Sequence, residues 1–125
     1  MDGSHDDGCA VGGDDARLAH IARTRQLNDA ARAAMKFRFV YATVGVQALG
    51  SETMSQVVEH VRRFDAFDSG NDPWREHDFG SISVGGEHIF WKIDYYDREL
   101  SAGSPDPADP AVTSRVLTIM LASEY

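Results

Sequence analysis

Two consecutive glycines, Gly85 and Gly86, separate the run SISV from the run EHIFWKIDYYD. Two-residue hairpin loops of the primed types need positive φ, which glycine adopts without a steric penalty. The chain is therefore expected to reverse there in the tightest available turn. That fixes a register: Val84 faces Glu87, Ile82 faces Ile89, Gly80 faces Trp91, Ser81 faces Phe90 and Phe79 faces Lys92, with His77 opposite Asp94 further out. Strand alternation then assigns Ile82, Val84, Ile89, Trp91, Ile93 and Tyr95 to a core side. Phe79, His88, Phe90, Lys92, Asp94 and Tyr96 go to the other side, and a slip of one residue would exchange the two.

The rest of the chain supplies helices and one more strand. ARLAHIARTRQLNDAARAAM, after the N-cap candidates Asp14 and Asp15, is free of Gly and Pro and reads as a helix with a thin apolar stripe of Leu18, Ile21, Ala22 and Leu27. KFRFVYATVGV is rich in aromatic and β-branched residues and reads as a strand. From Ser51, the residues Met54, Val57, Val58, Val61 and Phe64 recur on one helical face, with Glu52 early and Arg62 and Arg63 late, as the helix dipole favours. The segment from Asp68 to Pro73 is a loop. Asp109, Pro110 and the spacing of Val112, Val116, Ile119 and Met120 predict a helix at the C-terminal end. The expected architecture is α+β, a small antiparallel sheet of about three strands including the hairpin, packed against about three helices.

A chain of 125 residues, with 42% apolar residues, fits one domain with one modest core. Residues 1–15 hold five aspartates and no Lys or Arg, so they supply most of the formal net charge of −8. They read as a disordered acidic leader ahead of a single domain over residues 16–125, whose own charge is mildly negative. This excludes nucleic-acid binding through a broad basic face. No apolar run is long enough to span a bilayer and no signal-peptide pattern is visible. Cys9 has no partner for an internal disulfide, and a cytoplasmic location is expected.

Several motifs lead nowhere. Asp78-Phe79-Gly80 spells a kinase metal-binding triplet in a chain too short for a kinase and lacking its other signatures. Asp65–Glu76 has the span of an EF-hand loop, but Phe67 and Pro73 occupy ligand positions. Asx-type turns at Asp68, Asn71 and Asp72 account for that composition better. The histidines lack zinc spacing, so no metal and no cofactor are expected.

The constellation that remains is His77, Asp94 and Tyr96, with Glu76, Asp78 and Asp97 nearby. A carboxylate beside an imidazole fixes its tautomer, as a general base requires, although the same pair also serves simply to pin a hairpin's register. Trp74, between Pro73 and Arg75 in a loop, needs a pocket or a partner. Trp91 and Tyr95 are expected in the core. Candidate binding residues are thus Trp74, Glu76, His77, Asp78, Asp94, Tyr96 and Asp97, and the catalytic candidates are His77, Asp94 and Tyr96.

The blocks NDPWREHDFG, FWKIDYYD, SPDPADPAVT and RVLTIMLASEY, in that order, resemble a bacterial family, domain of unknown function 3768, over about residues 24–125. The resemblance implies alphaproteobacterial plasmids and other mobile elements as its setting, in the company of antirestriction genes, and carries no activity with it. The leading expectation is a non-enzymatic protein-binding accessory or inhibitor associated with mobile elements, with an anti-defence role and a host or element protein as partner. Neither direct nucleic-acid nor membrane contact is expected, and the oligomeric state is open. Two alternatives stand beside it: a small hydrolase or isomerase using His77 and Asp94 as an acid–base pair, and an acidic DNA mimic.

Overall fold

The computed structural model describes the backbone of residues 3–125 and the side chains of residues 14–125. The leader expected over residues 1–15 falls almost wholly outside the described side chains. In chain order the elements are α1 (Gly3–Ala34), β1 (Phe39–Ala42), α2 (Val44–Gln47), α3 (Ser51–Arg63), β2 (Phe79–Val84), β3 (Glu87–Tyr96), β4 (Ser114–Leu121) and a 3-10 turn (Ala122–Glu124). The strands form one four-stranded mixed sheet in the order β1-β4-β3-β2.

The hairpin forms as its glycines dictate. Gly85 and Gly86 have φ of 60° and 82°, and the pairs run from Val84 with Glu87 to Phe79 with Lys92. Its inward residues are the core: Ile82, Val84, Ile89, Trp91 and Ile93 are buried, together with Val46 of α2, Val57 and Val61 of α3, and Leu117 and Ile119 of β4. The helix at Ser51 buries the face that its periodicity marks.

Two expectations are corrected. The C-terminal segment is not a helix but the strand β4, antiparallel to β3 and parallel to β1. Its positions 114–117 are all buried, and from Val116 to Leu121 only Thr118 is polar, so its apolar residues do not alternate with polar ones. Such a run mimics a buried helix by periodicity, and the β-branched content of VTSRVLTI tips it to strand. The sheet consequently has four strands and is mixed, not three and antiparallel. Asp109 does not cap a helix; its carboxylate closes a turn by accepting from the Ala111 amide at 2.9 Å.

Helix α1 meets the domain through polar groups. Thr24, Asn28 and Arg32, spaced four apart on one face, are buried, whereas Leu18 is exposed. A helix with so little apolar surface gains its attachment from directed hydrogen bonds, which must then all be satisfied. At the other end of the sheet, Glu124 accepts from the Thr43 hydroxyl and from the Gly45 and Leu121 amides, tying the final turn to the start of α2. Those donors hold its carboxyl below the usual range, the Thr43 hydroxyl contributing most.

Candidate functional site

The residues singled out in the sequence separate into three places. Glu76, His77 and Asp78 join an interior polar cluster. Asp94 and Tyr96 lie on the outer sheet face. Trp74 and Asp97 belong to loops.

The interior cluster is built where α1 crosses the end of the hairpin. The Ile93 amide donates to the Asp78 carbonyl at 2.8 Å, so the antiparallel register persists one step beyond Phe79. There it stops. Arg75 and His77 have φ of 60° and 57°, a left-handed conformation that costs a non-glycine residue roughly 1–2 kcal/mol. The turn is secured by Asp72, whose carboxylate accepts from the His77 amide at 3.1 Å. This reversal swings His77 away from the sheet, and the expected pair with Asp94 is not made. The imidazole instead lies with Nδ1 2.8 Å from Asp29 Oδ1 of α1 and Nε2 3.5 Å from Asp72 Oδ2. It stacks on Phe67 at 3.8 Å, nearly parallel. With Nδ1 bonded to Asp29, Nε2 facing Asp72 and one ring face covered by Phe67, His77 ties the helix to the loop.

Arg32 extends this tie. It pairs with Asp29, donates to the carbonyls of Val61 and Phe64 at the C-terminal end of α3, and lies over the rings of Phe67 and Trp91. Burial lowers its pKa, and Asp29 works in the opposite direction. Beside it runs a second chain of contacts. Glu76 Oε1 accepts from the Tyr95 hydroxyl at 2.8 Å, which accepts from Asn28 Nδ2 at 2.7 Å. The same Asn28 amide donates to the Glu76 carbonyl at 2.9 Å, and Asn28 Oδ1 accepts from Arg115 Nε at 2.7 Å. Burial raises the Tyr95 phenol well above its ordinary value, keeping it a neutral donor.

Asp78, at the end of this cluster, has its pKa raised from 3.8 to about 6, first by burial and then by the charge of Glu76. A carboxyl that binds its proton more tightly in the folded state adds stability below its unfolded pKa. That contribution is lost as pH rises through about 6. Asp78→Asn is therefore expected to be more stable than the parent at neutral pH and equal to it at about pH 3. The difference is on the order of 1 kcal/mol after allowance for solvent screening. Thermal unfolding of both proteins across that range checks it, and a difference independent of pH would refute the assignment.

The outer face of the sheet carries the other candidates. Lys92 Nζ lies 3.3 Å from Asp94 Oδ2. Tyr96 shares a shallow recess with Phe39, Tyr41 and Leu100, and Phe39 stacks with Tyr41 at 5.8 Å. Toward the opposite edge, Phe79 and Phe90 pack on each other and on Tyr125. Trp74 is 76% exposed. Asp97 caps its own loop, accepting from the Ser101 amide and hydroxyl, which together hold its carboxyl low.

The sequence reading missed Asn28, Asp29 and Arg32 on α1 and Arg115 on β4. Their signal was present: polar residues repeat every four positions along an alanine-rich helix, and one arginine interrupts an apolar run. Among the described residues no group of three or more His, Cys, Asp and Glu is placed to hold a metal ion, and no helix is long and apolar enough to cross a membrane. The family model described as Protein of unknown function (DUF3768) matches residues 42–124, from the last residue of β1 to the final turn. No curated protein and no solved structure matches the chain.

Proposed function

The chain belongs to the domain of unknown function 3768 family, and from its geometry we propose that it is a non-enzymatic protein-binding module, an accessory or inhibitor of the kind a mobile element deploys against host defence. The observation that carries this reading is the set of exposed rings on the outward face of the sheet. Helices α2 and α3 bury their apolar residues against the inward face, while the outward face presents rings: Phe39, Tyr41 and Tyr96 are 38%, 54% and 37% exposed. Tyrosine and phenylalanine offer large contact area at small conformational cost, which is why such rings anchor protein interfaces. The polar pair on that face, Lys92 with Asp94 on the interior strand β3, is self-compensating and adds no net charge between the two groups of rings. A nucleic acid would find little basic charge there to neutralise its phosphates.

The enzyme reading loses its motivating pair, since His77 and Asp94 are on different sides of the sheet. The mimic reading has less behind it because Asp29, Asp68, Asp72, Asp106 and Glu124 spend their carboxylates on internal hydrogen bonds.

A partner protein cross-linked and purified from the native host is expected to bind the parent stoichiometrically. Tyr41→Glu with Tyr96→Glu is expected to weaken that binding by at least about ten-fold without moving the unfolding midpoint. Undiminished binding by this variant, or a surface used only for self-association in light scattering, would overturn the proposal. Trp74→Ala tests whether the exposed loop extends the same surface.

A further inference from the structure

Arg115 is 8% exposed, yet among the described residues no carboxylate lies within ion-pairing distance of it. Its Nε donates to Asn28, its Nη2 donates to the Pro107 carbonyl, and its guanidinium lies 5.2 Å over the Tyr95 ring. Each of these partners is neutral. The negative charge of Glu76 reaches it only across Tyr95 and Asn28, while Arg23 adds repulsion. Burial lowers its pKa, the mark of a cation short of compensation.

Arg115 also forms part of the wall of a groove of about 570 Å³ between α1 and the segment leading into β4. Leu27, Ala31 and Ala34 of α1, with Phe37 and Pro110, give it an apolar floor. Lys36, Arg38 and Arg98 join Arg115 in its lining, and no acidic residue does. Four bases without an acid are conspicuous in a protein whose formal net charge is −8. Arg38 lies over the Phe39 ring, and none of the three outer bases is in an ion pair among the described residues. The volume falls in the range of small-molecule sites, roughly 300–1,000 Å³.

We propose that this groove binds an organic anion, with an apolar body along the alanine face of α1 and a carboxylate or phosphate head group drawn to the basic wall. The groove adjoins the aromatic sheet face where Arg38 lies over Phe39, but Tyr41 and Tyr96 are not in its lining, and the proposal does not depend on how that face is used. The apolar floor sets the ligand's shape and the bases set its sign. Local positive potential also captures an anion that the protein's overall charge would otherwise repel.

The test titrates the full chain with octanoate, octyl phosphate, octanol and inorganic phosphate, followed by calorimetry and amide chemical shifts. One or both octyl anions are expected to bind saturably and to shift the amides of Ala31, Ala34, Phe37 and Ser114. The tighter of the two identifies the head group. Octanol and inorganic phosphate are each expected to bind at least about ten-fold more weakly. Lys36→Glu with Arg98→Glu, at exposed positions, is expected to lower anion affinity by at least about ten-fold with the unfolding midpoint retained. Tyr41→Glu with Tyr96→Glu is expected to leave it unchanged. Equal binding of octanol and octanoate, equal binding of inorganic phosphate, shifts confined to the aromatic face, or no binding would each overturn the proposal.

Discussion

Alanine at Asn28 is expected to lower stability by about 3–5 kcal/mol, a large fraction of what a domain of this size possesses. The side chain is fully buried and makes three hydrogen bonds with partners from three separate segments: the Glu76 carbonyl, the Tyr95 hydroxyl and Arg115 Nε. Removing it takes the side-chain donor from the Glu76 carbonyl, one of two partners from the Tyr95 phenol and the Nε partner from the Arg115 guanidinium. An unpaired buried group costs about 1–3 kcal/mol, more when charged. No apolar gain offsets this, because the helix has little apolar surface at the contact. Urea unfolding at neutral pH measures the loss. A change below about 1 kcal/mol would mean that water reaches these groups and the network is not the fastening described above.

Gly80→Ala is the second severe substitution, expected to cost about 3 kcal/mol for the addition of one methyl group. A β-carbon at position 80 would sit 2.6 Å from Trp91 Cε2 and 2.7 Å from Cζ2, inside any real contact distance. Trp91 cannot swing aside. It is fully buried, with Phe64 and Phe67 edge-on against its ring and the Arg32 guanidinium 4.9 Å above it. Across the hairpin the two residues are direct partners, so the absent side chain at 80 is what admits the indole. A compensating change follows from the geometry. The buried Trp91 Nε1 has no hydrogen-bond partner, so phenylalanine there sacrifices no bond while withdrawing the atoms that clash. Gly80→Ala with Trp91→Phe is expected to be more stable than the sum of the single changes by about 1–2 kcal/mol. Strict additivity in the double-mutant cycle would refute the steric account.

How far the chain could be read in advance depended on how local each feature is. The hairpin was legible because Gly85 and Gly86 fix a turn, and a turn fixes a register over every pair that follows. Helix α3 was legible because its apolar residues share one face. The C-terminal strand was misread for the opposite reason. Buried on both faces, it lost the alternation that distinguishes strand from helix, and only its β-branched residues hinted at the outcome. For the candidate site, Tyr95, Trp91 and Tyr96 could be placed from alternation alone. His77 could not, because a single left-handed residue cancels the register at the point where the pairing with Asp94 would have been made. Its true partner, Asp29, lies on a helix whose docking is written in polar spacing, a weaker pattern than an apolar stripe.

The position of β4 bears on how the protein comes into being. The fourth strand in chain order lies in the interior of the sheet, between the first strand and the hairpin, and β1 has no other neighbour in that sheet. Residues 39–42 must therefore wait, unpaired, until residues 114–121 have been synthesised, and their rings are open to wrong associations meanwhile. Translation that halts before Ser114 yields no reduced version of the sheet, only the β2–β3 hairpin and an unpaired β1 with nothing to join them.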